Sequence, residues 1–269
     1  MIPKIIHYIW LGGKPLTPLA TKCLESWKKY CPDYEIKLWN EDNFDITKNK
    51  YCKQAYDAKK WAFASDYVRV SVLKEYGGIY FDTDLELIKP IDNLLQNTAF
   101  SGMEDDRFIA TGFMGCEKNS EWITKIYDLY NDISFIKEDG SYDLTPNPRK
   151  ATQMALEMYP EFKDANKLEI ISYPKLTIYP PEYFYPLDYK TKKIVITNKT
   201  LSIHHYEASW IPKSTKMKMA IKKFIKKVIF YDKWRKRKWI NLSLLNLKIC
   251  CQYFCLLSLL YQQWLQKFL

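Results

Sequence analysis

Apolar positions in this chain alternate between short continuous runs and longer stretches of helical period. Lys4 to Trp10 is an apolar run that Gly12-Gly13 ends, which predicts a buried first strand. Leu16 to Tyr30 has helical spacing, with Thr17 placed to cap it and Pro18 at its first position. Tyr34 to Trp39 predicts a second strand. Trp61 to Tyr76 is a helix, because Ala64, Val68, Val72 and Tyr76 share one face and Gly77 stops it. Ile79 to Phe81 is a strand running into Asp82. Further strands are expected over Thr98 to Met103, Leu168 to Tyr173 and Leu201 to Tyr206, and helices over Glu121 to Tyr130 and Pro148 to Met158. Strands alternating with helices predict an α/β sheet covered on both faces. No internal repeat is present.

Composition narrows the class. The chain has 269 residues, enough for one large domain or two small ones, and 47% hydrophobic with 27% charged residues excludes wholesale disorder. Aromatics at 16% suit a sugar or base pocket but fill ordinary cores equally well, so they decide nothing alone. The seven cysteines form no C-x-x-C pair, which argues against a zinc ribbon or a thioredoxin-type site. The first residues form no adequate secretory h-region, since His7 interrupts the run. Reduced thiols in a cytoplasm are therefore expected.

Charge divides the chain. Residues 1–210 hold 27 Lys and Arg against 30 Asp and Glu, whereas residues 211–240 hold 12 against 1. A mildly acidic domain over 1–210 is thus expected to carry a basic tail over 211–269. In that tail Ile221, Phe224, Ile225, Val228 and Ile229 form one apolar helix stripe flanked by Lys222, Lys223, Lys226 and Lys227, with Trp234 and Trp239 following among basic residues. A basic amphipathic helix with interfacial Trp suits an anionic membrane surface better than nucleic acid, and docking on the protein's own core is the alternative. Ile249 to Tyr261 is shorter than the roughly 20 apolar residues that a spanning helix needs. The expected location is peripheral, on the inner face of the cell membrane.

The chemistry concentrates in Ala64-Ser65-Asp66-Tyr67-Val68-Arg69 and in Gly77-Gly78-Ile79-Tyr80-Phe81-Asp82-Thr83-Asp84. Asp66 and Arg69 are three apart and project from one helix face. Asp82 and Asp84 emerge where an apolar strand ends, the usual place for ligands in open α/β sheets. Two carboxylates two residues apart point the same way in extended chain and repel unless a cation sits between them. Hard oxygen donors suit Mn²⁺ or Mg²⁺, which in turn grip a diphosphate. Singly, each feature has an ordinary reading: a solvated turn, a surface ion pair, a helix C-cap. Together they are far harder to explain that way.

The ordered set of His7-Tyr8-Ile9-Trp10-Leu11-Gly12-Gly13, Ala64-Ser65-Asp66 with Arg69, Gly77-Gly78-Ile79-Tyr80 leading into Asp82-Thr83-Asp84, and His204-His205-Tyr206 with Ser209-Trp210 resembles the DXD-containing glycosyltransferases of family 32 over roughly residues 1–210. The resemblance implies a GT-A fold and a retaining transfer from a nucleotide-sugar donor such as a UDP- or GDP-sugar to a saccharide acceptor, on a surface polysaccharide or a lipid carrier. It implies that Trp10 stacks on the base, that Asp66 and Arg69 hold donor-sugar hydroxyls, and that Tyr80 and Trp210 approach the donor. Asp82 would lie by ribose and metal, Asp84 would bind the metal, and His205 or Glu207 would complete that site. Neighbouring histidines in a strand put one ring on each face, so at most one enters. Glu104-Asp105-Asp106 reads as a solvated acidic turn or the lining of an acceptor groove. Two rivals remain. Haloacid-dehalogenase-like phosphatases also end a strand in Asp-x-Asp, but the Thr or Val they carry two residues later is Glu86 here. A non-enzymatic module working through the tail leaves the acidic cluster unexplained.

Overall fold

A computed structural model describes residues 1–188, 191 and 193–207. Ser209, Trp210 and the basic tail expected over 211–269 lie outside the described residues. No helix among those described is long and apolar enough to cross a membrane.

The predicted alternation holds. Strand β1 (Ile5–Ile9) is followed by α1 (Pro18–Tyr30), β2 (Glu35–Trp39), α2 (Lys50–Asp57), α3 (Trp61–Tyr76), β3 (Gly78–Phe81) and β4 (Leu85–Leu87). Then come β5 (Ala99–Met103), β6 (Ile109–Cys116), α4 (Glu121–Asp132), α5 (Asn147–Met158), β7 (Ile171–Tyr173), β8 (Leu176–Tyr179), α6 (Pro181–Phe184) and β9 (Ser202–His204). Thr17 caps α1 as expected, its hydroxyl accepting from the Ala20 amide at 3.1 Å. The strand expected over Leu201 to Tyr206 shortens to three residues, because Tyr206 turns into the left-handed region at φ 51°.

Seven strands form one mixed sheet in the order β2-β1-β3-β6-β5-β8-β7, and β4 pairs with β9 in a separate ribbon. Strands β1, β2 and β3 run parallel, and β6 lies antiparallel to β3. The two faces alternate residue by residue. Ile6, Tyr8, Ile79 and Phe81 pack with Cys23 and Trp27 of α1 on one side. Ile9 and Tyr80 pack with α3, α4 and α5 on the other. Helix α3 is thus enclosed, and its polar residues Asp66 and Arg69 are buried with it, 9% and 5% exposed.

Strand β6 and helix α2 were not anticipated. Ile109 to Cys116 contains Gly112 and Gly115, which read as breakers, yet every one of its residues is buried at the sheet centre. The glycines are needed for space: a Cβ at Gly115 would lie 2.4 Å from the Phe100 ring, and one at Gly112 would lie 2.6 Å from Asp82 Oδ2.

The turn between α3 and β3 fixes where β3 begins. Gly77 and Gly78 both take positive φ, and a Cβ on Gly78 would meet the Ile5 carbonyl at 2.7 Å and His7 Nε2 at 2.9 Å. His7 closes this corner. Its Nδ1 accepts from the Trp39 indole at 3.0 Å, which leaves Nε2–H to donate to the Gly77 carbonyl at 2.8 Å. Burial pushes the imidazole down to about 4, against the Gly77 bond, with Lys37 adding to the depression. The unfolded chain therefore takes up a proton near pH 6.5 that the folded chain refuses until about 4. The stabilisation from neutral His7 is complete above pH 6.5 and fades as pH falls toward 4. Between pH 7.5 and 5 the native protein should lose about 2 kcal/mol more stability in urea titrations than His7→Gln. Equal losses in both proteins would remove His7 from this role.

Candidate active site

Parallel β1 and β3 deliver their C-terminal ends to the same sheet edge, with His7 opposite Tyr80, so Trp10 and Asp82 leave the sheet side by side in topology. Trp10 is half-buried, its indole N–H donating to the Lys14 carbonyl at 2.5 Å. Asp82 is held at its backbone by the Gly112 carbonyl, 2.8 Å away on β6. Its carboxylate Oδ1 accepts from the Tyr80 hydroxyl at 2.8 Å and from Arg69 Nη2 at 3.0 Å.

Arg69 gathers the acids. The same Nη2 lies 3.4 Å from Asp66 Oδ1, and Nη1 donates to the Thr111 carbonyl at 2.5 Å. The guanidinium lies over the Tyr80 ring, 4.3 Å from its centroid. Tyr80, expected to approach the donor, is buried, and its hydroxyl is spent on Asp82. Burial pushes Asp66 up to about 6, with Arg69 and Lys150 pulling the other way. At Asp82 burial pushes up as well, but Arg69 outweighs it, joined by His204, and holds that carboxyl below the usual range.

The ribbon β4·β9 closes the other side. Leu85 pairs with His204, and the Asp84 carbonyl accepts from the His205 amide at 3.0 Å. His204 Nε2 lies 3.0 Å from Asp84 Oδ1 and 3.6 Å from Asp82 Oδ2. Burial opposes charging of this ring, but Asp84 and Asp82 outweigh it and raise it to about 10. Asp84 falls below its ordinary value, since His204 overcomes the effect of burial.

Beside Asp82 and Asp84 the structure places His204 rather than His205. His205 points to the opposite side of the strand, where its Nε2 meets Glu86 Oε2 at 2.8 Å, and Lys22 holds the same carboxylate. Glu207 supports Asp84 through its backbone N–H, which donates to Oδ2 at 2.7 Å, while its own carboxylate accepts from Thr17. His204 is therefore the side chain that joins the two aspartates. One ligand atom from each of Asp82, Asp84 and His204 lies within 4.8 Å of the others.

This trio fits a divalent cation. Both ring nitrogens of His204 are buried, and neither is aligned for a hydrogen bond, although Nε2 faces two carboxylates. Gly112 leaves the space beside Asp82 Oδ2 open. Two carboxylate oxygens and one imidazole, once the ring gives up the proton that the aspartates otherwise hold there, are a donor set suited to Mn²⁺.

Sequence reasoning missed three supports. Gly112 gave a signal in being a glycine inside an apolar run. The Thr111 carbonyl gave none. Lys150 gave a clear one: it occupies the core-facing side of α5 with Asn147, Ala151 and Met154, where a lysine is out of place. Its ammonium donates to the Thr145 carbonyl at 2.8 Å and adds positive charge near Asp66.

Residues 18–101 match the family described as glycosyltransferase sugar-binding region containing DXD motif, a span that includes Asp66, Arg69, Asp82 and Asp84. An uncharacterized glycosyltransferase of Acanthamoeba polyphaga mimivirus is 24% identical over 220 residues, covering 79% of this chain and 85% of that protein. Inositol phosphoceramide mannosyltransferase 3 of Schizosaccharomyces pombe is 29% identical over 136 residues, 46% of this chain and 36% of that one. The chain thus spans about a third of the length of this yeast relative. The solved structure of the PaToxG glycosyltransferase superposes with a TM-score of 0.50 at 22% identity, over 61% of this chain and 72% of that one, and shares the α/β fold with its mixed central sheet. Over residues 18–101 the chain is thus similar to the DXD glycosyltransferases, and part of it is similar to yeast mannosyltransferases.

Gly112→Ala puts a methyl group against Asp82 Oδ2. Its Mn²⁺ affinity by calorimetry should fall at least tenfold with the circular dichroism spectrum unchanged. Native affinity in that variant would take Asp82 Oδ2 out of the cation site.

Proposed function

We propose that this chain is a Mn²⁺- or Mg²⁺-dependent glycosyltransferase. It moves a hexosyl group from a UDP- or GDP-sugar to a saccharide acceptor, with retention at the anomeric carbon. The observation that carries this reading is the convergence of Asp82, Asp84 and His204 beside the Asp66–Arg69 pair at one strand end.

A cation bound by Asp82, Asp84 and His204 would neutralise charge on the diphosphate as it departs. Trp10 offers a ring for base stacking, worth about 1–3 kcal/mol at single-stranded nucleic-acid sites. Asp66 accepts from donor-sugar hydroxyls and Arg69 donates to them, which fixes the anomeric carbon relative to the acceptor. In the transfer the C1–O bond to the diphosphate breaks, and its electron pair leaves with the nucleotide. The acceptor hydroxyl forms the new C1–O bond on the same face and passes its proton to a departing phosphate oxygen. Neither Asp66 nor Asp82 is free to attack, because Arg69 holds both. The yeast relatives are named for transfer to inositol phosphoceramide or its mannosylation, which supports a lipid-linked acceptor alongside a surface polysaccharide. No nucleic acid partner is part of this reading.

With Mn²⁺ present, purified protein should hydrolyse one nucleotide-sugar out of a panel of UDP- and GDP-sugars. EDTA should stop it, and Asp84→Asn should lower the rate at least a hundredfold while the fold is kept. Near-native turnover by Asp84→Asn would refute the assignment. The basic tail, residues 211–269, supports a peripheral position on the inner face of the membrane. Co-sedimentation with phosphatidylserine vesicles should be strong at low salt and lost at high salt. Equal binding to neutral vesicles would count against it.

A further inference from the structure

A groove of about 410 Å³ opens beside the cation trio, within the usual size of small-molecule sites, roughly 300–1,000 Å³. Its inner wall is aromatic. Tyr206 stands edge-on to the His204 ring at 4.3 Å between centroids, and Tyr185 meets the same ring at 5.7 Å. Tyr206 holds φ at 51°, a conformation costly for a tyrosine and found where surrounding structure imposes it. Glu104 lines the groove at the turn between β5 and β6. Burial pushes its carboxyl above the ordinary value, and it feels the charges of His204 and Asp82. Among the described residues no hydrogen bond engages this side chain, whereas the neighbouring Asp105 is taken by Arg107.

The outer wall is different in kind. Residues 186–188 and 193–195 run as a short antiparallel pair, with Leu187 bridged to Ile194 and the Val195 amide donating to the Pro186 carbonyl at 3.1 Å. Val195 lines the groove and is 65% exposed, and Ile194 and Ile196 beside it are 48% and 56% exposed. Val195 thus gives the groove an exposed aliphatic flank, with Ile194 and Ile196 exposed next to it.

We propose that this groove is the acceptor site and takes an amphiphilic glycoside. The sugar sits against Tyr206 with a hydroxyl donating to Glu104, and the apolar stem lies over Leu187 and Val195. The division of the groove argues for this occupant: hydrogen-bond acceptor and aromatic platform lie next to the cation trio, and exposed aliphatic surface lies away from it. The inference rests on the transfer reading above and deepens it.

The test uses full-length protein, Mn²⁺, the nucleotide-sugar it hydrolyses fastest, and methyl and octyl glycosides of mannose, glucose and galactose. For at least one sugar the octyl glycoside should be used with a KM at least tenfold below that of the methyl glycoside. Val195→Asp should bring the two within threefold of each other. Glu104→Gln should lower the ratio of transfer to donor hydrolysis at least tenfold for both glycosides. Equal use of octyl and methyl glycosides, transfer to none of them, or an unaltered preference in Val195→Asp overturns the proposal. Donor hydrolysis without any glycoside reports the transferase reading separately, so its absence would sink that reading instead.

Discussion

One guanidinium organises the site. Arg69 is almost fully buried, and its Nη2 lies within 3.4 Å of carboxylate oxygens of both Asp66 and Asp82. Three charges out of water are costly unless each finds a partner, and removing one partner of a buried pair costs about 3–5 kcal/mol. The Thr111 carbonyl and the Tyr80 ring take up more of the positive charge, while the buried Nε has no hydrogen-bond partner. The consequence is a division of labour between the acids. Asp82, closer to Arg69, is held firmly ionised, while Asp66 titrates near 6. In the proposed transfer, Asp82 is therefore the acid suited to a cation and Asp66 the one suited to a neutral ligand.

The sheet puts this centre at its carboxyl edge because the polar residues of α3 face into the core rather than out of it. Helix α3 packs between the sheet and α4, so a charged pair there is almost wholly buried. The ribbon β4·β9 then returns the chain from about 120 residues later and lays His204 against Leu85. The cation trio is consequently a tertiary feature. Two of its members are neighbours in sequence, but the third arrives only when β9 docks.

Much of this was legible beforehand, for a physical reason. The elements with long apolar runs or strong helical period, β1, α1, α3 and β3, were read nearly to the residue, and the Asp-x-Asp spacing places both acids at a strand end by local geometry alone. What was not legible depends on parity and on space. His204 and His205 carry the same chemistry, and only the register of β9 against β4 decides which ring faces Asp84. Strand β6 was hidden because its two glycines break an otherwise convincing pattern. Those glycines exist to make room for Phe100 and for the Asp82 carboxylate, neither of which is near them in sequence. The Thr111 carbonyl belongs to the same category, since its partner Arg69 lies on α3.

The arrangement also separates the two chemistries that a strand-terminal Asp-x-Asp can perform. A phosphatase of the haloacid-dehalogenase type needs the first aspartate free to attack phosphorus. Here Asp82 Oδ1 is occupied by Tyr80 and Arg69, and Oδ2 faces His204 across 3.6 Å. Attack through Oδ1 would break two hydrogen bonds and leave Arg69 with the more distant Asp66 as its carboxylate partner. Glu86, which stands where that chemistry wants a small or β-branched residue, is tied to Lys22 and His205 on the far side of the ribbon. The same contacts that hold Asp82 Oδ1 fix the carboxylate's orientation as a ligand. Under the transfer reading proposed above, holding a charge in place is the part left to these residues, since the attacking and leaving groups both come from substrates.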